Sequence, residues 1–525
     1  MRYFSVFLLL ATIILWSSCR NDFESSPSTG NLQFSRDTLF LDTIFTNIGS
    51  STYSFKVYNR TSEDLNIPSI SLERGESSGY RLNVDGVPGK SFENIQVLAK
   101  DSIFVFVETT TDITEQTNEV EFLYTDRVLF DPNGNQQDVD LVTLIKDAVF
   151  LFPSRNNLTG EVETLLLGED NNMQEIRIEG FFLDDDELNF TAEKPYVIYG
   201  YAAIPSGKTL TIDAGARIHF HENSGIIAAN NATLLVNGEI STDSEAMENE
   251  VIFESDRLEP GFSDIPGQWG IIWLTAGSTG HVINHATIKN ASIGILMDSN
   301  DGGTDPTLTI TNTQIYNSSA YGILARTGNV FGENIVINNA GISSLYCSFG
   351  GTYNFDHCTF ANYWNSSFRD TPSVFIDNIF AVRDGNGTVT EILEEDLLEA
   401  NFTNCIIYGS QNLELELLKG EEGKNFNYNF KNSLIRFNDF NNQFDDNELY
   451  NFTNTNLFES IILNEDPDFK EPSDNELNIG EDSAANGQAS TPTIGTDILG
   501  TLRDTSAPDI GAYESIMFEE EDDGN

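Results

Sequence analysis

Every twenty-odd residues between positions 285 and 454, the chain sets an asparagine or a histidine at the same place in a recurring apolar pattern. The column reads His285, Asn312, Asn334, His357, Asn378, Asn404, Asn432 and Asn454, at spacings of 27, 22, 23, 21, 26, 28 and 22 residues. Two positions before it stand Ile283, Ile310, Gly332, Phe355, Ile376, Phe402, Phe430 and Phe452. Three positions after it stand Ile288, Ile315, Ile337, Phe360, Ala381, Ile407, Ile435 and Leu457. A period of this length marks a solenoid. Side-chain amides can bond up and down a column only when successive coils stack strand on strand, so the repeat predicts a parallel β-helix. Eight such coils would rise roughly 38 Å, one strand spacing each. His285 and His357 read as stand-ins for asparagine. Gly294, Gly322 and Gly341, each followed by isoleucine, predict a second bend in the coil.

Upstream the pattern changes. From Leu32 to Phe152, short alternating runs such as Tyr53 to Tyr58 and Ser102 to Val107 are separated by turn residues, as in Asp85-Gly86 and Pro132-Asn133-Gly134. That is the habit of an antiparallel β-sandwich. Residues 153–193 are mostly polar and acidic and read as a connector. The β-helix is expected over 194–490, a closing segment over 491–518, and a solvated acidic tail over 519–525. An open end of a β-helix exposes unpaired backbone groups, so the closing segment is expected to finish the stack.

Motifs in several regions resemble known families. Asp42 to Thr46, Lys56 to Asn59, Arg81 to Gly86 and Lys100 to Ser102 resemble immunoglobulin-like domains that precede β-helices in exported bacterial lipoproteins. Lys194 to Gly200, Gly207 to Ile212, Thr233 to Gly238 and Pro266 to Ile272 resemble the opening coils of right-handed parallel β-helix proteins of the pectate-lyase-like fold. Asp466 to Phe469, Asp482 to Ala484 and Pro508 to Glu514 resemble their closing segments. The fold class implied is all-β, a right-handed parallel β-helix preceded by a small antiparallel β-sandwich.

The chain opens with Arg2, an apolar run from Tyr3 to Trp16, and Ser17-Ser18-Cys19. The run is too short to span a bilayer and reads as a cleaved signal. A cysteine at this junction resembles the bacterial lipoprotein pattern, although Trp16 stands where that family usually has leucine. The resemblance implies a signal peptide over 1–18, a lipid on Cys19 and a tether over 19–31. Arg20 stands where an aspartate would retain a lipoprotein at the inner membrane, which implies the outer membrane. Asp22 and Glu24 are compatible with onward display at the cell surface.

Net charge is −55, from 82 acidic and 27 basic residues. Repulsion at long range opposes nucleic acid and anionic lipid, and opposes acidic polysaccharides unless divalent cations bridge them. Cys358 and Cys405 each follow a column residue, with Asn378 between them. That places them two coils and about 9.6 Å apart, beyond the reach of about 7 Å that a disulfide allows. Both read as buried thiols.

Candidate chemistry follows from residue types. A uronate lyase needs a Lys or Arg base and a cation, commonly calcium, on the substrate carboxylate; Lys289, Arg326 and Arg369 are the basic residues to consider. A hydrolase needs paired carboxylates, for which Asp356, Asp370 and Asp377 are at hand. Asp298, Asp301 and Asp305, spaced around Gly302-Gly303, are oxygen ligands for a possible calcium ion. His219 and His221 share one face of a strand and read as surface residues. Sugar-binding faces use exposed aromatic rings, and the expected exposed pair is Tyr363-Trp364. Three readings stay open: a surface module that binds a glycan or another surface component without catalysis, a polysaccharide lyase or hydrolase, and a structural or adhesive rod.

Overall fold

The structure, a computed structural model, describes residues 25–30, 32–169, 173–243, 246–384, 387–421, 423–491 and 494–518. Cys19 and the acidic tail lie outside the described residues. The chain divides after Asp147 into two compact units.

In the first unit, alternation buries one side of each strand: Phe55 and Val57 in Tyr53–Tyr58, and Ile103, Val105 and Val107 in Ser102–Thr109. These two strands pair antiparallel, and Tyr80–Val84 extends the sheet. A second sheet is built on Leu65–Leu72, Glu121–Phe130 and Gln137–Lys146. Their apolar faces meet in one core that includes Phe55, Ile67, Val105, Val128 and Leu141. The unit is an antiparallel β-sandwich, with Ser26–Pro27, Thr38–Phe40 and Ile44–Phe45 added as short parallel pairings.

In the second unit the chain passes through three sheets per coil, in the same order up to the last second-sheet strand, Leu415–Leu418. The first sheet contains Tyr196–Ile198, Arg217–Phe220, Val251–Ser255 and Ala286–Lys289. The second contains Tyr201–Ile204, Gly225–Ala228, Trp269–Leu274 and Ala291–Met297. The third contains Thr209–Asp213, Thr233–Asn237 and His281–Asn284. Each strand pairs in parallel with its counterpart one coil on, and the fold is a right-handed parallel β-helix. Ile310, Gly332, Phe355, Phe402, Phe430 and Phe458 stand in one register, and Ile315, Ile337, Phe360, Ile407, Ile435 and Leu463 in another. Gly332 makes room in the first of these: a Cβ there would come within 2.5 Å of the Phe355 ring.

The asparagine ladder forms the bend between the third and first sheets. His285, Asn312, Asn334, His357, Asn404 and Asn432 take φ between 44° and 53°, a left-handed conformation that asparagine tolerates better than most residues. Asn312 Nδ2 donates to Asn284 Oδ1 at 3.1 Å, Asn334 Nδ2 to Asn312 Oδ1 at 2.9 Å, and Asn404 Nδ2 to His357 Nε2 at 2.9 Å. Two expected members lie elsewhere. Asn378 follows the second-sheet strand Val374–Asp377, which registers on Cys347 through Ile376. The rung above His357 is Asn404, 47 residues on, because that coil puts out the hairpin Ile379–Arg383 with Val389–Glu394. Asn454 sits in a turn, where its backbone carbonyl accepts from Leu457 and Phe458. Ser460, φ 56°, follows Asn432 in its stead. The seven rungs from His285 to Ser460 rise roughly 34 Å, one strand spacing each, rather than 38 Å.

That shift brings Cys358 and Cys405 into adjacent coils, since Thr359 registers with Ile406. The expected separation of two coils is therefore overturned, while both remain buried free thiols. Cys347 is buried in the second sheet, in register with Ala325 and Ile376. Five residues beyond the rungs runs a second ladder, Asn290, Asn317, Asn339 and Asn362. Asn317 Nδ2 donates to Asn290 Oδ1 at 3.3 Å and Asn339 Nδ2 to Asn317 Oδ1 at 2.6 Å; Asn362 bonds both backbone groups of Ala340. These residues make the bend between the first and second sheets. The expected glycine bend is instead a close approach inside the second sheet. A Cβ on Gly294 would lie 2.6 Å from Gly322 O, and one on Gly322 2.5 Å from Ser344 O. Gly341 lies outside this column: it follows Ala340, which registers with Ser318.

The N-terminal border of the β-helix moves outward to Val149, whereas its stacked strands end at Ile462–Leu463, inside the expected border at 490. Val149–Leu151 pairs with Tyr196–Ile198, Gly180 to Phe182 with Tyr201 to Ala203, and Asn189–Phe190 with Thr211 and Ile212. The stretch expected as a connector is therefore the first coil with its hairpin, Thr164–Glu169 and Glu175–Phe182. Its composition misleads because only a few side chains, Phe181, Leu183 and Phe190 among them, reach the core. At the other end, the closing segment does not stop the stack. Together with the preceding strand Glu476–Ile479 it lies along the outside of the first sheet, burying Leu477, Ile498, Ala512 and Tyr513 against Val336 and Ala361, and Ile479 and Ile510 against Ile406, Tyr408 and Leu434.

Candidate functional site

On the outer face of the second sheet, one column runs Ile227, Trp273, Leu296, Leu324, Tyr346, Phe375 and Glu416, in register from coil to coil. It faces out because the preceding residues, Ile226, Ile272, Ile295, Ile323, Leu345 and Val374, fill the core. The Tyr346 ring stacks on Phe375 with centroids 4.7 Å apart and planes 7° apart, and Tyr321 leans on Tyr346 at 5.7 Å. Trp273, Tyr321, Tyr346 and Phe375 each keep part of their surface open.

Two residues further along each strand is a polar column, Thr275, Asp298, Arg326, Ser348 and Asp377. Trp273 Nε1 donates to Asp298 Oδ2 at 2.6 Å, and Arg326 Nη1 donates to Asp298 Oδ1 at 2.7 Å. Asp377 accepts from the Tyr346 hydroxyl at 2.6 Å and from the Phe349 N–H at 2.7 Å. Burial raises the Asp377 carboxyl above its ordinary value against the pull of those donors. Burial, and then the Asp377 charge, raises the Tyr346 hydroxyl and the Glu416 carboxyl.

Hairpins flank this face. Leu165, Leu166, Leu167 and Phe182 wall a cavity of about 370 Å³ whose other residues include Ile227, Asn230, Trp273 and Asp298. That is the volume range of small-ligand sites. In the later coils, Phe380 of the second hairpin packs against Phe349 at 5.7 Å.

Of the expected residues, only Arg326 and Asp298 meet, and they meet on this face. Lys289 lies on the first sheet, paired with Glu254 at 2.9 Å. Arg369 is buried, held by Glu414 at 2.8 Å and 3.0 Å and by the carbonyls of Asn362 and Thr371; enclosed this way it orders a loop rather than facing a groove. The three bases therefore do not converge. Nor do the carboxylates: Asp356 closes a third-sheet strand, Asp377 lies on the second sheet and Asp370 is exposed on a loop.

The calcium candidates separate as well. Asp298 serves Trp273 and Arg326, Asp301 serves Thr279 and the Gly303 N–H, and the Asp305 carbonyl accepts from Asn329. Among the described residues, no three His, Cys, Asp or Glu side chains are placed to hold a metal ion. Tyr363 and Trp364, the expected exposed pair, are both half-buried. Tyr363 is covered by the closing segment, its ring 6.1 Å from Phe469, and Trp364 folds back onto Ser367. His219 is buried beside Glu254 and bonded to the Ser255 carbonyl, whereas His221 reaches Asp256 at 2.8 Å near the surface. Tyr321 and Phe375 went unnoticed in the sequence. Counting from the second asparagine ladder is the signal that finds them, since it fixes which second-sheet residues point outward.

No protein-family model matches the sequence, and no curated protein sequence is similar to it. Among solved structures, the chain is similar to the catalytic unit of a thermostable GH87 alpha-1,3-glucanase from Streptomyces thermodiastaticus. That match has 12% identity over 73% of this chain and 79% of the other, with a TM-score of 0.22. A PapD-like domain of human CEP192 matches at 12% identity over 25% of this chain and 94% of that domain, TM-score 0.15. The periplasmic chaperone SfaE matches at 11% over 22% and 57%, TM-score 0.14. At such values these likenesses carry no argument about activity.

Proposed function

We propose that this chain is an exported lipoprotein, anchored in the outer membrane through a lipid on Cys19 and displayed at the cell surface, whose β-helix binds a glycan without cleaving it. The observation that carries the binding reading is the line of part-open rings, Trp273, Tyr321, Tyr346 and Phe375, beside the polar column of Asp298, Arg326 and Asp377. Flat rings cover the C–H faces of sugars, and carboxylate, guanidinium and amide groups next to them match sugar hydroxyls. A row of similar sites spaced by coils suits an extended chain better than a single small molecule. The sandwich, read as immunoglobulin-like, serves as the spacer between anchor and binding face. The leader Arg2 to Cys19 supports the anchor, and the strong acidity favours neutral or cationic glycans over polyanions.

A second reading, a glycan hydrolase, draws on one observation: Asp377, bonded to the Tyr346 hydroxyl, and Glu416, beside Phe375 one coil on, are neighbouring carboxyls, both raised by burial. Glycoside hydrolysis uses a pair of neighbouring carboxyl groups. Both readings are tested by incubating protein from residue 20 with a glycan panel and scoring retained ligand and shortened product together by mass spectrometry. Retention without shortening supports binding, shortened product replaces it with hydrolysis, and neither outcome leaves a structural rod.

A further inference from the structure

The final coils hold a second cavity, lined by other residues. Between Ile435 and Phe458 the chain makes an excursion that lays Phe444, Leu449 and Phe452 against the core near Phe437 and Tyr450. The Tyr450 ring lies 4.9 Å from Phe437 and 4.6 Å from Phe444, and Phe437 lies 5.2 Å from Phe452. These four rings wall a cavity of about 500 Å³. Its remaining lining includes the carboxylates of Asp439, Asp445, Asp446 and Glu448, with no Lys or Arg among the described lining residues. One oxygen of Asp439 accepts from the Phe444 N–H at 2.8 Å; the other is buried and has no hydrogen-bond partner.

Asp439 is half-buried with one oxygen lacking a donor, and the charged groups of the rim around it are acidic alone, so positive charge brought into the cavity is favoured. Aromatic faces carry negative potential, so they attract a cation that also has an apolar body. A bare metal ion fits less well, because no three carboxylates or histidines of the described residues converge there. We propose that this cavity binds an organic ammonium ion, a compact cationic head with C–H groups that lie against Phe437, Tyr450 and Phe452. Such a head occurs in choline-type headgroups and in amino sugars, and the acid rim serves either one. This site does not depend on the glycan reading of the second-sheet face.

The test uses protein from residue 20, and ligand-observed nuclear magnetic resonance with choline, glucosamine and the neutral isostere 3,3-dimethylbutan-1-ol. Expected is a dissociation constant of about 1 mM for at least one ammonium, with the isostere about tenfold weaker. Because Asp445, Asp446 and Glu448 are exposed, the variant Asp445→Asn, Asp446→Asn, Glu448→Gln should fold normally, and it is expected to weaken ammonium binding about tenfold or more. Asp439→Asn is expected to weaken it further, its thermal transition confirming the fold. The choline and glucosamine arms separate headgroup from amino sugar. Equal binding of the neutral isostere, unchanged binding by the triple variant, or no binding of either ammonium overturns the proposal. Displacement of choline by stoichiometric calcium overturns it in favour of a metal site.

Discussion

Arg503 Nη2 lies 2.8 Å from Oδ1 of Asn334, so the closing segment takes over the acceptor that would have continued the ladder to the next coil. The same guanidinium bonds the Gly511 carbonyl at 3.0 Å and Glu514 at 2.9 Å, with the arginine side chain fully buried. Replacing Arg503 with Met leaves the Glu514 carboxylate and the Asn334 amide oxygen without their partner. A loss of about 3–5 kcal/mol is expected, concentrated in the closing segment. Hydrogen exchange at Ile498 and Ala512 measures it; exchange as slow as in the unaltered protein would show that apolar packing alone holds the segment.

Arg369 and Glu414 form the most enclosed ion pair among the described residues, with side chains 1% and 0% exposed. Either Arg369→Met or Glu414→Leu alone strands a buried charge, at about 3–5 kcal/mol. The double substitution removes both charges, so it is expected to recover most of that loss. Urea midpoints of the three variants check it, and strict additivity of the two single effects would contradict the coupling.

His281 and His357 are buried histidines, and burial holds their folded pKa at about 4 and about 3, below the ordinary 6.5. A depressed histidine favours the neutral form, so the stability it contributes is whole above about pH 6.5 and declines as pH falls toward 4 and then 3. The decline is about 1.4 kcal/mol per pH unit for each histidine. His357→Asn keeps a ladder residue at the bend and removes the titration. The gap in stability between pH 7 and pH 5 is therefore expected to shrink by about 2 kcal/mol in the variant. Parallel pH profiles for the two proteins would assign the acid sensitivity elsewhere.

Trp273 stands at the N-terminal end of the proposed glycan face, and Trp273→Ala enlarges the cavity beside the first hairpin. Retention of any glycan found on the panel is expected to fall about tenfold, with the unfolding midpoint changed little because the ring is only half-buried. Tyr346→Phe removes a hydroxyl from Asp377 while keeping the ring, so it separates stacking from hydrogen bonding. Full retention in Trp273→Ala would move the site off this face.

The β-helix was legible in the sequence because its ladder residues must take a left-handed bend and its apolar columns must line up. Four consecutive rungs, His285 to His357, follow the expected spacing. The expectation slipped at Asn378 because asparagine is common in turns, and a hairpin of ordinary length mimicked one more coil. Ser460 was missed for the opposite reason: a bend can be made without the amide. The proposed binding face was not legible, since Trp269 and Trp273 are equally aromatic and only the strand register sends the first inward and the second outward. The closing segment was recognised by its motifs, but its resting place on the first sheet depends on contacts such as Tyr513 with Val336 and Ala361, more than 150 residues away in sequence.

The long coil between His357 and Asn404 shows that this architecture counts rungs and ignores the chain spent between them. Thr359 meets Ile406 as directly as Ile337 meets Phe360, although twice as much sequence intervenes. The hairpin from Ile379 to Glu394 is thus a replaceable fitting beside the aromatic face. Descendants of such a gene can lengthen, shorten or swap it and change what the neighbouring rings meet, while the stack beneath keeps its register.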